Sequence, residues 1–223
     1  VTEQPAPRTT YRHGDLRRAL VEAGTELARE GGPAAVVLRE VTRRAGVTPN
    51  AAYRHFADKG ALLRAVSLAA QSRLAAAMEE EQSALPDRDD GAGGADDDAP
   101  HSAAALAQAK LRAVGAGYLR FAQGEPGLFR TAFANHVDLR DAAVEESAGP
   151  HGRTPFQLLS DALDDLVDSG VLEASRRPGA ELVAWSAVHG LAMLVIDGPL
   201  RGLDAAARLN AARRLLEMVE QGI

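Results

Sequence analysis

The chain has 223 residues, 46% hydrophobic and 25% charged, with a formal net charge of −6 and no cysteine. That length and apolar content suffice for one ordinary core plus a small extra unit, which excludes a wholly disordered chain, and the missing cysteine excludes disulfide scaffolds and thiolate metal sites. No stretch approaches the roughly 20 uninterrupted apolar residues of a membrane span, and "VTEQPAPRTTYRHGD" carries no apolar signal segment, so a soluble cytoplasmic protein is expected.

Residues 1–10, with two prolines and small polar residues, read as part of a flexible arm over 1–13. Leu16, Leu20, Ala23 and Leu27 then recur on one face of a helix, which "GGP" at 31–33 ends. A second, short helix covers 38–45, with Leu38, Val41 and Ala45 inward and Arg39, Glu40, Arg43 and Arg44 outward; Gly46 stops it. "PNAAYRHF" starts a third, with Pro49 in the first turn, where its missing N–H is harmless, and Ala52 and Phe56 inward. Asp58 is placed to cap a fourth helix running to about 83 on Leu63, Val66, Ala70, Leu74 and Ala77.

Residues 85–100, "LPDRDDGAGGADDDAP", have almost nothing to bury and read as a mobile loop. Asp87, Asp89 and Asp98 align with positions of a calcium loop, but its glycine position holds Ala92, so a solvated linker is the better reading and no metal is expected. Helical patterns return over about 103–123, 126–136, 154–169, 178–197 and 204–221, broken by "SGV" at 169–171 and "DGP" at 197–199. No alternating strand pattern competes with them. The fold class expected is all-α, with residues 14–60 as a three-helix helix-turn-helix unit and residues 61–223 as a helical body.

Charge is divided unevenly between these parts. Residues 1–78 hold 12 Lys+Arg against 7 Asp+Glu, a balance of +5, whereas residues 79–223 hold 13 against 24, a balance of −11. A basic third on an acidic body is the asymmetry expected when one end meets nucleic acid. The second member of a helix-turn-helix enters the major groove, which makes the outward residues Thr48, Asn50, Tyr53, Arg54 and His55 contact-capable, with Ala51 small enough for a thymine methyl. Lys59 opposes the dipole at the start of its helix, and a nearby phosphate explains it better than helix stability does. An active site of Tyr53, Arg54 and His55 is disfavoured, because consecutive side chains on a helix diverge by about 100°. No GxSxG, HExxH or Walker loop occurs, and "GAGYLR" at 115–120 lacks the third glycine of a dinucleotide fingerprint, so neither an enzyme nor a cofactor is expected.

"LREVTRRAGVTPNAAYRHFADKGALL" and the preceding "LVEAGTELAREGG" make residues 14–63 resemble the DNA-binding domain of TetR-family transcriptional regulators. "AGYLRFAQGEPGLFR" and "AWSAVHGLAMLVIDGPL" are similar to the WHG-type ligand-binding domain found behind it, through Trp185, His189 and Gly190. The resemblance implies that Tyr53, His55 and Lys59 contact DNA phosphates, that Pro49 and Asn50 approach bases, and that Thr48 and Arg54 complete the surface, with Thr10 and Tyr11 adding contacts from the arm. Val37 departs from the Ser or Thr that usually caps the second helix.

The resemblance further implies a homodimer on a pseudo-palindromic operator, a repressor released by a small-molecule effector. Helices 178–197 and 204–221 carry stripes that suit a dimer interface: Ala184, Val188, Leu191 and Val195, then Leu209, Ala212, Leu216 and Val219. For the effector the candidates are Tyr118, Phe121, Phe129, Phe133, Phe156, Trp185, His189 and Met193, a set that also suits a plain core. The competing reading is a helical small-molecule-binding protein or enzyme with an incidental helix-turn-helix.

Overall fold

A computed structural model describes residues 13–85, 99–134 and 144–222. The described residues form α1 (His13–Gly31), α2 (Leu38–Arg44), α3 (Pro49–Tyr53), α4 (Lys59–Ser83), α5 (Ala99–Gly124), α6 (Pro126–Ala132), α7 (Pro155–Asp168), α8 (Ala180–Ile196) and α9 (Ala205–Gly222), joined in places by single 3-10 turns and with no strand among them. The residues of the expected arm before His13, the calcium-like aspartates and the segment 135–143 lie outside the described residues.

Local chemistry accounts for most boundaries. Gly32, at φ 68°, turns the chain out of α1 while its N–H donates to the carbonyl of Ala28 at 2.8 Å. Asp58 caps α4 by accepting from the Ala61 N–H at 2.7 Å. At α7, Thr154 and Gln157 form a reciprocal capping box, and Pro155 stands in the first turn.

Two helices differ from their sequence patterns. α4 buries Leu62, Val66, Ala70, Leu74, Ala75 and Met78, while Leu63 and Ala77 are only half-buried. The reason is that α4 packs against α1, α5, α6 and α7 together, so its buried arc is wider than a single stripe and turned from the one expected. α6 stops at Ala132 instead of continuing to 136. The Ala132 carbonyl accepts from Ser67 Oγ at 3.0 Å and from Gln71 Nε2 at 2.8 Å, so side chains of α4 satisfy an acceptor that another helical turn would have used.

The body is built around α5, which touches α4, α6, α7, α8 and α9. Close approach depends on two glycines. A Cβ on Gly117 would stand 2.6 Å from the Ala77 carbonyl oxygen of α4, and one on Gly127 would stand 2.3 Å from the Ala28 carbonyl oxygen of α1. The stripes expected to form a dimer interface serve the single chain instead: Ala184, Val188, Val195 and Val219 are buried, and Leu191, Ala212 and Leu216 are half-buried against the rest of the body. α8 and α9 are packed on α5, which claims those faces. Of the residues expected at the interface only Leu209 is exposed, and the other large exposed apolar side chains of α8 and α9 are Leu182, Val183, Met193, Leu194 and Met218.

Candidate nucleic-acid interface and effector region

α2 and α3 meet across a turn whose shape is set by Gly46 at φ 69°, where a Cβ would touch nothing and the requirement is purely conformational. The Val47 N–H donates back to the Thr42 carbonyl at 2.9 Å and closes the turn. α3 is one and a half turns long, too short to be stable on propensity, and is held by burial of Ala52 and Phe56. The guanidinium of Arg17 lies 5.5 Å from the centre of the Phe56 ring, adding a cation–π contact from α1. At the start of α2, Val37 supplies no side-chain cap, as its identity implies, and burial of Leu38 and Val41 fixes the first turn in its place.

This packing leaves Thr48, Pro49, Asn50, Tyr53, Arg54 and Lys59 exposed on one side of the head, with His55 half-buried beside them. Among the described residues, the side chains of Asn50, Tyr53, Arg54 and Lys59 make no hydrogen bond or ion pair. The arginines of α2 behave differently. Arg43 binds Glu40 and Arg44 binds Glu30, the latter at 2.7 and 3.0 Å, and these hydrogen bonds hold both carboxyls below the ordinary glutamate range. Among the described residues of the head, cationic side chains without a hydrogen bond, ion pair or ring contact are therefore Arg54 and Lys59, beside the exposed polar face of α3, and Arg39, exposed on α2.

In the body, six of the eight effector candidates converge. Tyr118 of α5, Phe129 of α6, Phe133 just after it, Phe156 of α7, and Trp185 and His189 of α8 form a continuous ring cluster with centroid separations of 5.0 to 6.5 Å. Tyr118 and Phe129 are buried, whereas Phe133, Phe156, Trp185 and His189 are half-buried and form its accessible wall. Phe121 is buried but joins no ring contact among the described residues, and Met193 points to the surface with 37% of its area exposed.

The cluster contains one polar chain. Trp185 Nε1–H donates to Tyr118 Oη at 3.1 Å, and Tyr118 Oη lies 2.7 Å from His189 Nδ1. With Trp185 donating to the phenol oxygen, the phenol hydrogen is free to go to Nδ1, which places the imidazole hydrogen on Nε2 of a neutral His189. Burial pushes the Tyr118 hydroxyl up and the His189 imidazole down from their ordinary values, so both groups are held uncharged.

α6 joins this cluster to the head. Glu125, just before it, accepts a bifurcated hydrogen bond from the Nε–H of Arg29 of α1 at 2.9 and 3.1 Å, Gly127 rests on the α1 backbone, and the last carbonyl of α6 is held by α4. Sequence reasoning missed Glu125, Gly127, Ser67 and Gln71. "GEPG" at 124–127 was a signal for a helix start, but nothing in it names the helix on which Gly127 rests.

Two family models match the chain: "Bacterial regulatory proteins, tetR family" over residues 20–66, and "Tetracyclin repressor-like, C-terminal domain" over residues 111–219. The chain belongs to the TetR family of transcriptional regulators. It is a ligand-responsive, DNA-binding regulator, with the helix-turn-helix as its reading head and the helical body behind it. Solved structures agree in fold. A protein of unknown function from Rhodococcus sp. RHA1 is 24% identical, with a TM-score of 0.69 over 97% of this chain and 99% of that one. The transcriptional regulator FadR from Bacillus subtilis, solved in complex with stearoyl-CoA, is 16% identical, with a TM-score of 0.62 over 92% and 98%. A TetR-family regulator from Marinobacter aquaeolei VT8 is 21% identical, with a TM-score of 0.57 over 91% and 94%. No curated protein matches the chain.

Proposed function

We propose that this TetR-family regulator is a homodimeric repressor that binds a pseudo-palindromic operator and leaves it when a small molecule occupies the body. The observation that carries the reading is the exposed face of α3 with the start of α4, where the side chains of Asn50, Tyr53, Arg54 and Lys59 make no hydrogen bond or ion pair among the described residues. Asn50, with Thr48, Pro49 and Arg54 around it, reads base edges; Tyr53, His55 and Lys59 grip phosphates. The protein acts in the cytoplasm and catalyses no reaction. None of the helices among the described residues is long and apolar enough to cross a membrane.

Dimerisation runs through α8 and α9, using the exposed Leu182, Val183, Leu194, Leu209 and Met218 in place of the stripes expected from sequence. The effector is apolar or amphipathic and meets the half-buried wall of Phe133, Phe156, Trp185 and His189, supported from behind by Tyr118, Phe121 and Phe129, with Met193 at the outer edge of α8. A WHG-type body is the reading that Trp185, His189 and Gly190 favour. FadR was solved with stearoyl-CoA, which joins an apolar chain to a polar head, and the wall here offers both kinds of surface.

Release follows from the position of α6. An effector wedged at Phe133 displaces the end of α6, and α6 bears on α1 through Glu125 and Gly127 and on α4 through the Ala132 carbonyl. The head then shifts relative to its partner's head, and the operator spacing is no longer matched. Only a ligand that binds the shifted state more tightly can do this.

Selection of bound duplexes from a random pool, using the full chain, tests the reading. The expected result is an enriched pseudo-palindrome whose recovery falls when an apolar effector is added. Recovery of no preferred sequence would sink the proposal and favour a helical binding protein or enzyme with an incidental helix-turn-helix.

A further inference from the structure

Of the 25 Lys and Arg side chains only two are lysines, Lys59 and Lys110, and the chain has no cysteine. Every other permanently cationic side chain is an arginine, whose guanidinium stays protonated. An amine, by contrast, accepts an acyl group and loses its charge in doing so. The two amines differ in availability. Lys110 Nζ is bound to Asp165 at 2.7 Å, and that pair must break before the nitrogen can react. Lys59 makes no hydrogen bond or ion pair among the described residues, and it lies in the run 57–60, every residue of which is exposed.

The surroundings of Lys59 make loss of its charge harmless to the fold. It is the first residue of α4, and the first turn beyond the Asp58 cap holds no acidic side chain. The backbone N–H groups of that turn form the positive end of the helix dipole and repel a cation. The cap itself is the contact between the Asp58 carboxylate and the Ala61 N–H, and Lys59 takes no part in it. Within the described chain, therefore, nothing depends on this charge, whereas a DNA phosphate does.

We propose that Lys59 is an acylation site whose modification switches off the reading head. The ammonium first gives a proton to water, and the neutral amine attacks the carbonyl carbon of an acyl thioester. The C–N bond forms, the C–S bond breaks, and the second amine proton passes through solvent to the departing sulfur, which leaves as a thiol. Nothing is oxidised or reduced. The amide that remains is neutral, so each head loses one phosphate contact while α4 loses an unfavourable charge at its start. On the operator the amine is covered by a phosphate, which makes the free head the form that reacts. This switch rests on the phosphate-gripping role of Lys59 in the proposed function.

Treatment of the full chain with acetyl-coenzyme A as the thioester, with both lysines followed by peptide mass spectrometry, tests the site. Lys59 is expected to react faster than Lys110 in the free chain and to be protected by the selected operator duplex. In the chain with Lys59 converted to Nε-acetyl-lysine, DNA affinity is expected to fall about tenfold or more for every sequence, with the salt dependence flattened by about one ion per head. The thermal midpoint should stay unchanged or rise slightly. Lys59→Arg, whatever affinity it starts from, should lose none on thioester treatment, whereas Lys110→Arg should lose it as the parent does. The proposal is overturned if Lys110 reacts as fast as Lys59, if the operator gives Lys59 no protection, if the acetylated chain binds as tightly as the unmodified one, or if its thermal midpoint falls. The reaction rates are measured without DNA, so a slow Lys59 defeats the switch while the operator reading stands. An unmodified chain that selects no duplex defeats the operator reading and the switch with it.

Discussion

The ion-paired arginines of the body and the cationic side chains at the exposed edge of the reading head serve different purposes. In the body, Arg130 forms a bidentate pair with Asp197, Arg177 bridges Asp164 and Glu181, and Arg120 holds Glu80 and Glu81. Each ties one helix to another, or a helix to the turn beside it, and presents little net charge to solvent. In the head, Arg39, Arg54 and Lys59 end in solvent beside the exposed edge of α3. The overall charge of −6 therefore says little about what DNA meets, because fields at a surface depend on where charge lies and whether it is already paired.

If the two regions are distinct in this way, damage to the body should cost stability and damage to the head should cost only DNA binding. The largest effect is expected from Phe129→Ala, which empties the centre of the aromatic cluster. The loss is about 3–5 kcal/mol, read as a drop in thermal midpoint of about 6–20 °C, with DNA affinity of the folded fraction retained. A parallel loss of affinity in the folded fraction would break the distinction.

Next in size are two head variants that leave the thermal midpoint unchanged. Asn50→Ala is expected to cost about 1–3 kcal/mol of discrimination at one base position, measured by competition among point-mutated operators. Lys59→Ala is expected to weaken all sequences alike and to flatten the dependence of affinity on salt by about one ion per head. Equal behaviour of the two variants in both assays would show that the face does not divide into base-reading and phosphate-gripping parts.

The head was the more legible region. Ala52 on α3 and Phe56, just past its end, are four apart and both buried, with the Phe56 N–H still donating to the Ala52 carbonyl at 3.0 Å, so inward and outward residues follow from helical periodicity. In the body, the same reasoning located the helices but not their faces. α4 contacts four helices, so its stripe of Leu63 and Ala77 was turned toward Leu62, Ala75 and Met78, and α8 buried Ala184 and Val188 in its own chain. Glu79 was illegible for a related reason: a glutamate at the C-terminal end of an alanine-rich helix looks solvated, and only the return of the chain at Gly149 and His151 buries it.

Val37 tests whether packing has fully replaced a cap in the head. With Leu38 and Val41 already buried, Val37→Ser is expected to stabilise by at most about 1 kcal/mol through a hydrogen bond to an α2 backbone N–H, seen as a small rise in thermal midpoint. A fall would mean that the half-exposed valine contributes packing worth more than the cap.

The smallest effect concerns pH, and it sharpens the contrast because it belongs to the body alone. Burial lowers the His189 pKa from its ordinary value near 6.5, so the unfolded chain takes up a proton on this residue at a higher pH than the folded chain does. Its contribution to stability is therefore complete above about 6.5 and is lost as pH falls through that value toward the folded one. The hydrogen bonds point the same way: protonation makes Nδ1 a donor, Tyr118 must then accept from both Trp185 and His189, and the phenol hydrogen loses its acceptor. His189→Gln should remove this part of the acid destabilisation, so that the thermal midpoints of variant and parent converge between about pH 7 and pH 5. Parallel midpoint curves would show that His189 is not held neutral by the cluster.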